Sequence, residues 1–556
     1  MNLDAPDEAT IRKIESSVLD TEFRRFKILK VSSNTSIPFF LKAYGDAARD
    51  SVLMDDYPEF THRRILHQLM LAIGQCIKWV VANEDQQKTE PIHSLEEIQD
   101  DVNNLLKWAF EYVGLVQQFT AWSRGYVEIG VNESEKEIRF TPIDDNLAYS
   151  YYSQQEIGDS YIDSIFSDIL SSNLISETFN SWAREYKIKE PPIAAHIDWT
   201  KAAKSKLFEV IYAKTEKYIL PELSADSDLG GYTLQQFRIF YTSLFINFRF
   251  ICSFEQYLDS KDRESAYAFG SNPIVFPKSK MIAFIRSATG LAEPQVSAIL
   301  EDLTLDLDNF QSNLTSQPIV LSPDHQYSIL PNLFANIEPN RMLSGALNKS
   351  ALKRKIYDKL IGEIERKNIQ AIKTFLEENT SYNVLRQSFK GKVKKEISPD
   401  FVLVDKENNS ILIVEYKHFL NPSNALETAF RISEMQKGFL QVKGYETFFY
   451  ANHEVLHSFG IKSGFSIFKI LLTRVPTAVP VSEPEVIVTD WETFKIAIVK
   501  PGSFSEIGFS LQRDKRIELE AEHFESMDFI TKAGDWKFIR TVRTGKKQDN
   551  DKNLNI

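Results

Sequence analysis

Three charged residues in the C-terminal half of this 556-residue chain have the types and spacing for chemistry: Asp400, Glu415 and Lys417. They lie in the stretch SPDFVLVDKENNSILIVEYKHF, residues 398–419. Residues 400–405 and 411–417 read as two strands joined by the polar turn KENNS. Side chains two apart on a strand face the same way, so Glu415 and Lys417 project together. The run ILIV before them is continuously apolar and β-branched, as expected of a strand covered on both faces. Charges at the rim of such a sheet cost free energy unless they are paired or coordinate a metal. Asp400 and Glu415 are hard oxygen ligands of the kind that Mg²⁺ or Mn²⁺ takes together with water and substrate phosphate. The chemistry these types imply is metal-assisted hydrolysis of a phosphodiester. Lys417 would orient the attacking water and stabilise the charge of the transition state.

The flanking sequence supplies elements that can hold these residues. Residues 351–378 read as one long helix ahead of the two strands, and residues 424–457 as a second helix after them. Further strands are expected at 466–473, 485–489 and 495–498. Strands alternating with long helices predict an α/β domain with a central mixed sheet.

The motif formed by Pro399, Asp400, Glu415 and Lys417 resembles that of the PD-(D/E)xK nuclease superfamily, the restriction-endonuclease-like fold. The resemblance covers chiefly residues 351–500. It implies a metal-dependent nuclease, with Asp400 and Glu415 as metal ligands, Lys417 as the catalytic lysine and DNA as the substrate. Such nucleases often carry a further acid on the helix before the sheet. At about 100° per residue, Ile361, Ile369, Ile372 and Leu376 share a stripe that contains Glu365, whereas Glu363 points nearly opposite. Glu365 is therefore the expected third metal ligand. Gln441 and Tyr445 form Q-x-x-x-Y, a pattern of the RecB-like branch. Four apart on a helix, they share a face with Lys437 and Glu434, while Ile432, Met435 and Phe439 lie opposite. The resemblance implies that Lys437, Gln441 and Tyr445 contact DNA or brace the site. A nuclease joined to a helical region looks like bacterial restriction or anti-phage defence machinery, with a homo-oligomer or a second protein of the system as partner.

The charge distribution divides the chain in the same place. Residues 351–556 carry 32 Lys and Arg against 28 Asp and Glu, whereas residues 1–350 carry 33 against 49. A net charge of −12 for the whole conceals that asymmetry. Residues 1–270 are expected to be mainly helical, with clear periodicity at 64–81, 95–119 and 233–258 and a hairpin near 125–141. Residues 271–350 read as helix, turn, helix and hairpin, a winged-helix-like or connecting unit. Its second helix carries Glu293, Glu301 and Asp302, which would repel phosphates, so packing is expected of it rather than DNA reading. Trp536 is followed by a basic stretch, Lys537, Arg540, Arg543, Lys546 and Lys547, read as a solvated tail. Residues 546–556 are expected to be disordered.

Other classes fit less well. Two cysteines, Cys76 and Cys252, supply neither a disulfide framework nor a cysteine zinc site, which favours a reducing, cytoplasmic setting. The N-terminus lacks an apolar segment of signal type. The longest apolar stretch, residues 239–248, is too short to span a membrane, so no membrane partner is expected. His453, Glu454 and His457 form H-E-x-x-H, a zinc-protease signature. Ser463 stands where a third histidine would be needed. The remaining alternative is a catalytically inactive relative that binds DNA or acts as a scaffold.

Overall fold

The computed structural model describes residues 8–51, 59–84, 94–143, 173–185, 198–259, 272–309, 312–392, 396–418, 425–474, 485–500, 502–513 and 524–545. Residues 1–7 and 546–556, which include the expected polar tail, lie outside them.

The first part is helical. Its long helices are Ser33–Ser51, Glu59–Ala82, Leu95–Ser123 and Leu234–Asp259. The third begins where Ser94 and Glu97 exchange side-chain and backbone hydrogen bonds in a capping box, which satisfies two otherwise orphaned N–H groups. The apolar stretch at 239–248 is the buried middle of the fourth. Among the described residues one segment, Ile65–Ala82, is long and apolar enough to cross a membrane. It is half buried within the fold, with Ala72, Ile73, Cys76, Ile77 and Val80 in the helical core. The expected hairpin is present as β1 (Val127–Asn132) and β2 (Glu137–Pro142).

Next comes a short strand, β3 (Ile274–Pro277), then helices Lys278–Thr289 and Glu293–Leu303, then β4 (Ile319–Leu321) and β5 (Gln326–Ile329). The three strands form an antiparallel sheet in the order β3-β5-β4. Gly290 ends the first helix in the left-handed region at φ 72°, which a side chain would disfavour. The second helix buries Val296, Ile299, Leu300 and Leu303. Its Asp302 accepts from Tyr232 at 2.8 Å and pairs with Lys353 at 2.7 Å, so this face is spent on packing.

The α/β unit opens with the helix Ala351–Asn379, close to its expected span, capped by the Ser350 side chain. It continues through β6 (Asn383–Leu385), β7 (Phe389–Lys390), β8 (Glu396–Ile397), β9 (Phe401–Asp405) and β10 (Ser410–Lys417). A crossover helix, Ala425–Ala451, leads to β11 (Ser466–Thr473) and then β12 (Ile487–Asp490). The sheet order is β12-β11-β10-β9-β6, parallel between β10, β11 and β12 and antiparallel at β9 and β6. This is the expected central mixed sheet. Alternate residues fill two separate cores. Phe401, Leu403, Leu412, Val414 and Leu472 face the long helix, with Ile372 and Leu376. Val402, Val404, Ile411 and Ile413 face the crossover helix, with Val442 and Phe449. Burial on both faces is why β9 and β10 lack polar alternation.

Three expectations need correction. Residues 495–498 are not a strand. They belong to the helix Trp491–Ile498, because the Asp490 side chain caps Thr493 N–H at 3.1 Å. The crossover helix stops at Ala451, and His453–Phe459 is a separate 3₁₀ turn ended by Gly460 at φ 89°. The basic C-terminal stretch is not a solvated tail up to residue 545, since it forms the hairpin β13 (Phe524–Ala533) and β14 (Trp536–Gly545). That hairpin leaves the α/β sheet altogether. β14 runs parallel to β2 in a four-stranded sheet of order β1-β2-β14-β13, and buried Arg540 binds Glu111 at 2.9 Å. The boundary drawn at residues 351–545 therefore cuts through a sheet shared with the helical part.

Candidate active site

Asp400 immediately precedes β9, and Glu415 and Lys417 end β10. By strand parity all three turn toward the crossover helix, with Val402 and Ile413. Lys417 Nζ donates to Glu415 Oε1 at 3.0 Å and to Gln441 Oε1 at 2.9 Å. Asp400 Oδ2 accepts the Tyr416 backbone N–H at 2.9 Å, which ties the start of β9 to the end of β10. The Tyr445 hydroxyl lies close enough to the Glu415 carboxylate to lower its pKa. Gln441 and Tyr445 thus reach the same two residues from one helix face.

Glu415 is 5% exposed, and its Oε2 is buried without a hydrogen-bond partner. Burial, then the neighbouring Asp400 charge, pushes its carboxyl well above the usual range, and the contacts with Lys417 and Tyr445 offset this only in part. Asp400 is raised too, by burial first, against the Tyr416 N–H and the charges of Lys417 and Arg386. Two buried carboxyls with raised proton affinity are short of positive charge. A divalent cation supplies what this donor set lacks, and the orphaned Glu415 Oε2 gives it a ligand.

Glu365 stands at the edge of this group. It is half-buried, and its carboxyl is raised by burial, offset by Lys417 and raised again by Asp400. Among the described residues no three His, Cys, Asp or Glu side chains converge to hold a metal ion. The expected third ligand is therefore near the pair without joining it, and Mg²⁺ binding would rest on two carboxylates with water and substrate. Glu363, by contrast, pairs with Lys367 at 2.9 Å on the helix surface. Lys437 is not brought to the site. It is exposed and pairs with Glu434 at 2.5 Å.

The rival histidines fare differently. In a 3₁₀ helix i and i+3 eclipse, so i+4 lies a third of a turn further on. His453 and His457 stack edge to face at 5.4 Å, and Glu454 pairs with Lys392 at 3.2 Å. No third acid or imidazole joins them among the described residues.

Two neighbours escaped the sequence reading. A Cβ on Gly438 would sit 2.7 Å from Leu471 Cδ1 and 3.4 Å from Lys417 Cε, so this glycine lets the crossover helix lie against the lysine stem. Its place three residues before Gln441 is the signal that could have found it. Arg386 acts on Asp400 from beyond β6, and no local pattern announces it.

Comparison with family models, curated proteins and solved structures finds no match to this chain.

Proposed function

We propose that the α/β unit is a metal-dependent nuclease of the restriction-endonuclease-like type, hydrolysing phosphodiester bonds of DNA. The observation that carries this reading is the Asp400–Glu415 pair, buried and with both carboxyls pushed above their usual range, with an unpartnered Glu415 oxygen and Lys417 within 3.0 Å. Asp400 and Glu415 would hold Mg²⁺ or Mn²⁺. When bound, such a cation supplies Lewis acidity toward the phosphoryl group and lowers the pKa of water. Lys417 holds a positive charge at Nζ where charge builds on the phosphate, and Glu415 and Gln441 fix its direction. Tyr445 lowers the pKa of Glu415. DNA rather than RNA is the substrate by the family resemblance, and a defence role with a partner of that system follows from the same source.

The test is incubation of wild-type protein and Lys417→Ala with linear, circular and single-stranded DNA, with Mg²⁺, Mn²⁺ or EDTA. The expected result is metal-dependent cleavage lost in the variant. Cutting of circles marks an endonuclease. Mn²⁺ that fails to bind wild type, or binds equally to Asp400→Asn, sinks the reading.

A further inference from the structure

We propose that Arg474 and Lys367 form a subsite for a backbone phosphate of nucleic acid, and that Glu222 of the helical part occupies it as a carboxylate stand-in; this rests on the nuclease reading. Arg474 directly follows Thr473, the β11 residue paired with Lys417. It leaves the sheet at the edge where the candidate catalytic lysine ends. Lys367 lies on the long helix, on the face where it also pairs with Glu363 at 2.9 Å. Both cations are turned onto one residue from another part of the chain. Arg474 Nη2 pairs with Glu222 Oε1 at 3.3 Å, and Lys367 Nζ donates to the Glu222 carbonyl at 2.8 Å. The Tyr416 hydroxyl, on the long-helix side of the sheet, senses Arg474, Glu222 and Glu365 together.

The contact is incompletely satisfied. Glu222 Oε2 is buried with no hydrogen-bond partner. Beside Arg474, both ring nitrogens of His418 are buried with none either. A phosphodiester offers two non-bridging oxygens to the Arg474 fork, the Lys367 ammonium and an imidazole N–H, more than one carboxylate can match. Release of Glu222 would free Arg474 and remove one anion at a single step, while Lys367 keeps its pair with Glu363.

The experiment is fluorescence anisotropy of a labelled DNA duplex with full-length protein at several salt concentrations, in a Lys417→Ala background with Mg²⁺ so that the DNA stays whole. Releasing the subsite with Glu222→Gln is expected to tighten binding about tenfold and to steepen the slope of log K against log salt by about one. Adding Arg474→Ala should return both, whereas Arg474→Lys should keep the slope. Circular dichroism and the thermal transition check that each variant folds. Unchanged affinity and slope in folded Glu222→Gln overturn the proposal, as does tightening that survives Arg474→Ala. If no variant binds DNA, the proposal falls, and Mn²⁺ binding to wild type then decides whether the nuclease reading falls with it.

Discussion

Glu415 should make metal binding steeply pH-dependent. Its carboxyl moves from an ordinary 4.5 to about 7, through burial first and Asp400 second. At about 1.4 kcal/mol per decade, that is roughly 3 kcal/mol by which the metal-free fold prefers the protonated form. A divalent cation requires the carboxylate, so binding must expel the proton. The association constant for Mn²⁺ should fall about tenfold per pH unit below about pH 7 and level off above it. Calorimetry in buffers of different protonation enthalpy should show about one proton released per ion near pH 6 and close to none near pH 8. Glu415→Gln should abolish both signals.

Stability supplies an independent check with a definite sign. The folded pKa lies above the unfolded one, so the contribution of Glu415 is fully present below about pH 4.5 and is lost as pH rises through about 7. In EDTA, Glu415→Gln should therefore unfold at a higher temperature than wild type at pH 8, and the two should converge near pH 4. Saturating Mn²⁺ should close the gap at pH 8, by about 2.7 kcal/mol at a hundredfold excess over Kd. An Mn²⁺ affinity that is flat from pH 5.5 to 8, or retained in Glu415→Gln, refutes the reasoning.

Tyr445→Phe removes a hydroxyl that lowers the Glu415 pKa, an effect worth about 0.5–1.5 kcal/mol, so the midpoint of the Mn²⁺ pH profile should rise by up to about one unit. Lys417→Ala should lower the cleavage rate about 100-fold or more and, because Lys417 lowers the pKa of the Glu415 carboxyl, should also raise the midpoint of the Mn²⁺ pH profile, as separate rate and binding measurements would show. Gly438→Val forces bulk against Leu471 and Lys417 and should cost about 1–3 kcal/mol in urea unfolding, with a matching loss of cleavage. Arg540→Ala removes the ion pair with Glu111, which keeps only its bond from the Thr531 hydroxyl, and should lower hydrogen-exchange protection in β1 and β2 while leaving β9 and β10 unchanged.

Local patterns in the chain were legible wherever one element decided its own structure. The β-branched run before Glu415 marks a strand buried on both faces, and the helical stripes at 351–378 and 95–119 appear nearly as read. Glu415, Lys417, Gln441 and Tyr445 converge because two strand positions and two helix positions each repeat with the right period. What failed depended on a few atoms or on distant chain. One Asp490 cap turned a β-branched segment into a helix. Lys437 shares the Gln441 stripe, yet a turn away its ammonium finds Glu434 first. The pairing of β14 with β2 joins positions some 400 residues apart and leaves no local trace.

That pairing bears on how Glu222 is held. The α/β unit is anchored to the helical part at the head of its first helix, through Lys353 and Asp302, and the chain beyond it returns to the helical part at β14. The loop that carries Glu222 is pinned at both ends by cations. Arg238 binds the carbonyls of Ile219 and Leu220, and Lys353 binds those of Leu229 and Gly230. Gly230 and Gly231 take φ of 81° and 122° beside the second pin, where a Cβ on Gly230 would meet Ile356 at 2.9 Å. Glu222 lies between the pins, and its carboxylate is held by one ion pair with the other oxygen unpartnered. Its withdrawal from Arg474 therefore requires a local shift of this loop, with both anchors intact, rather than separation of the two parts of the chain.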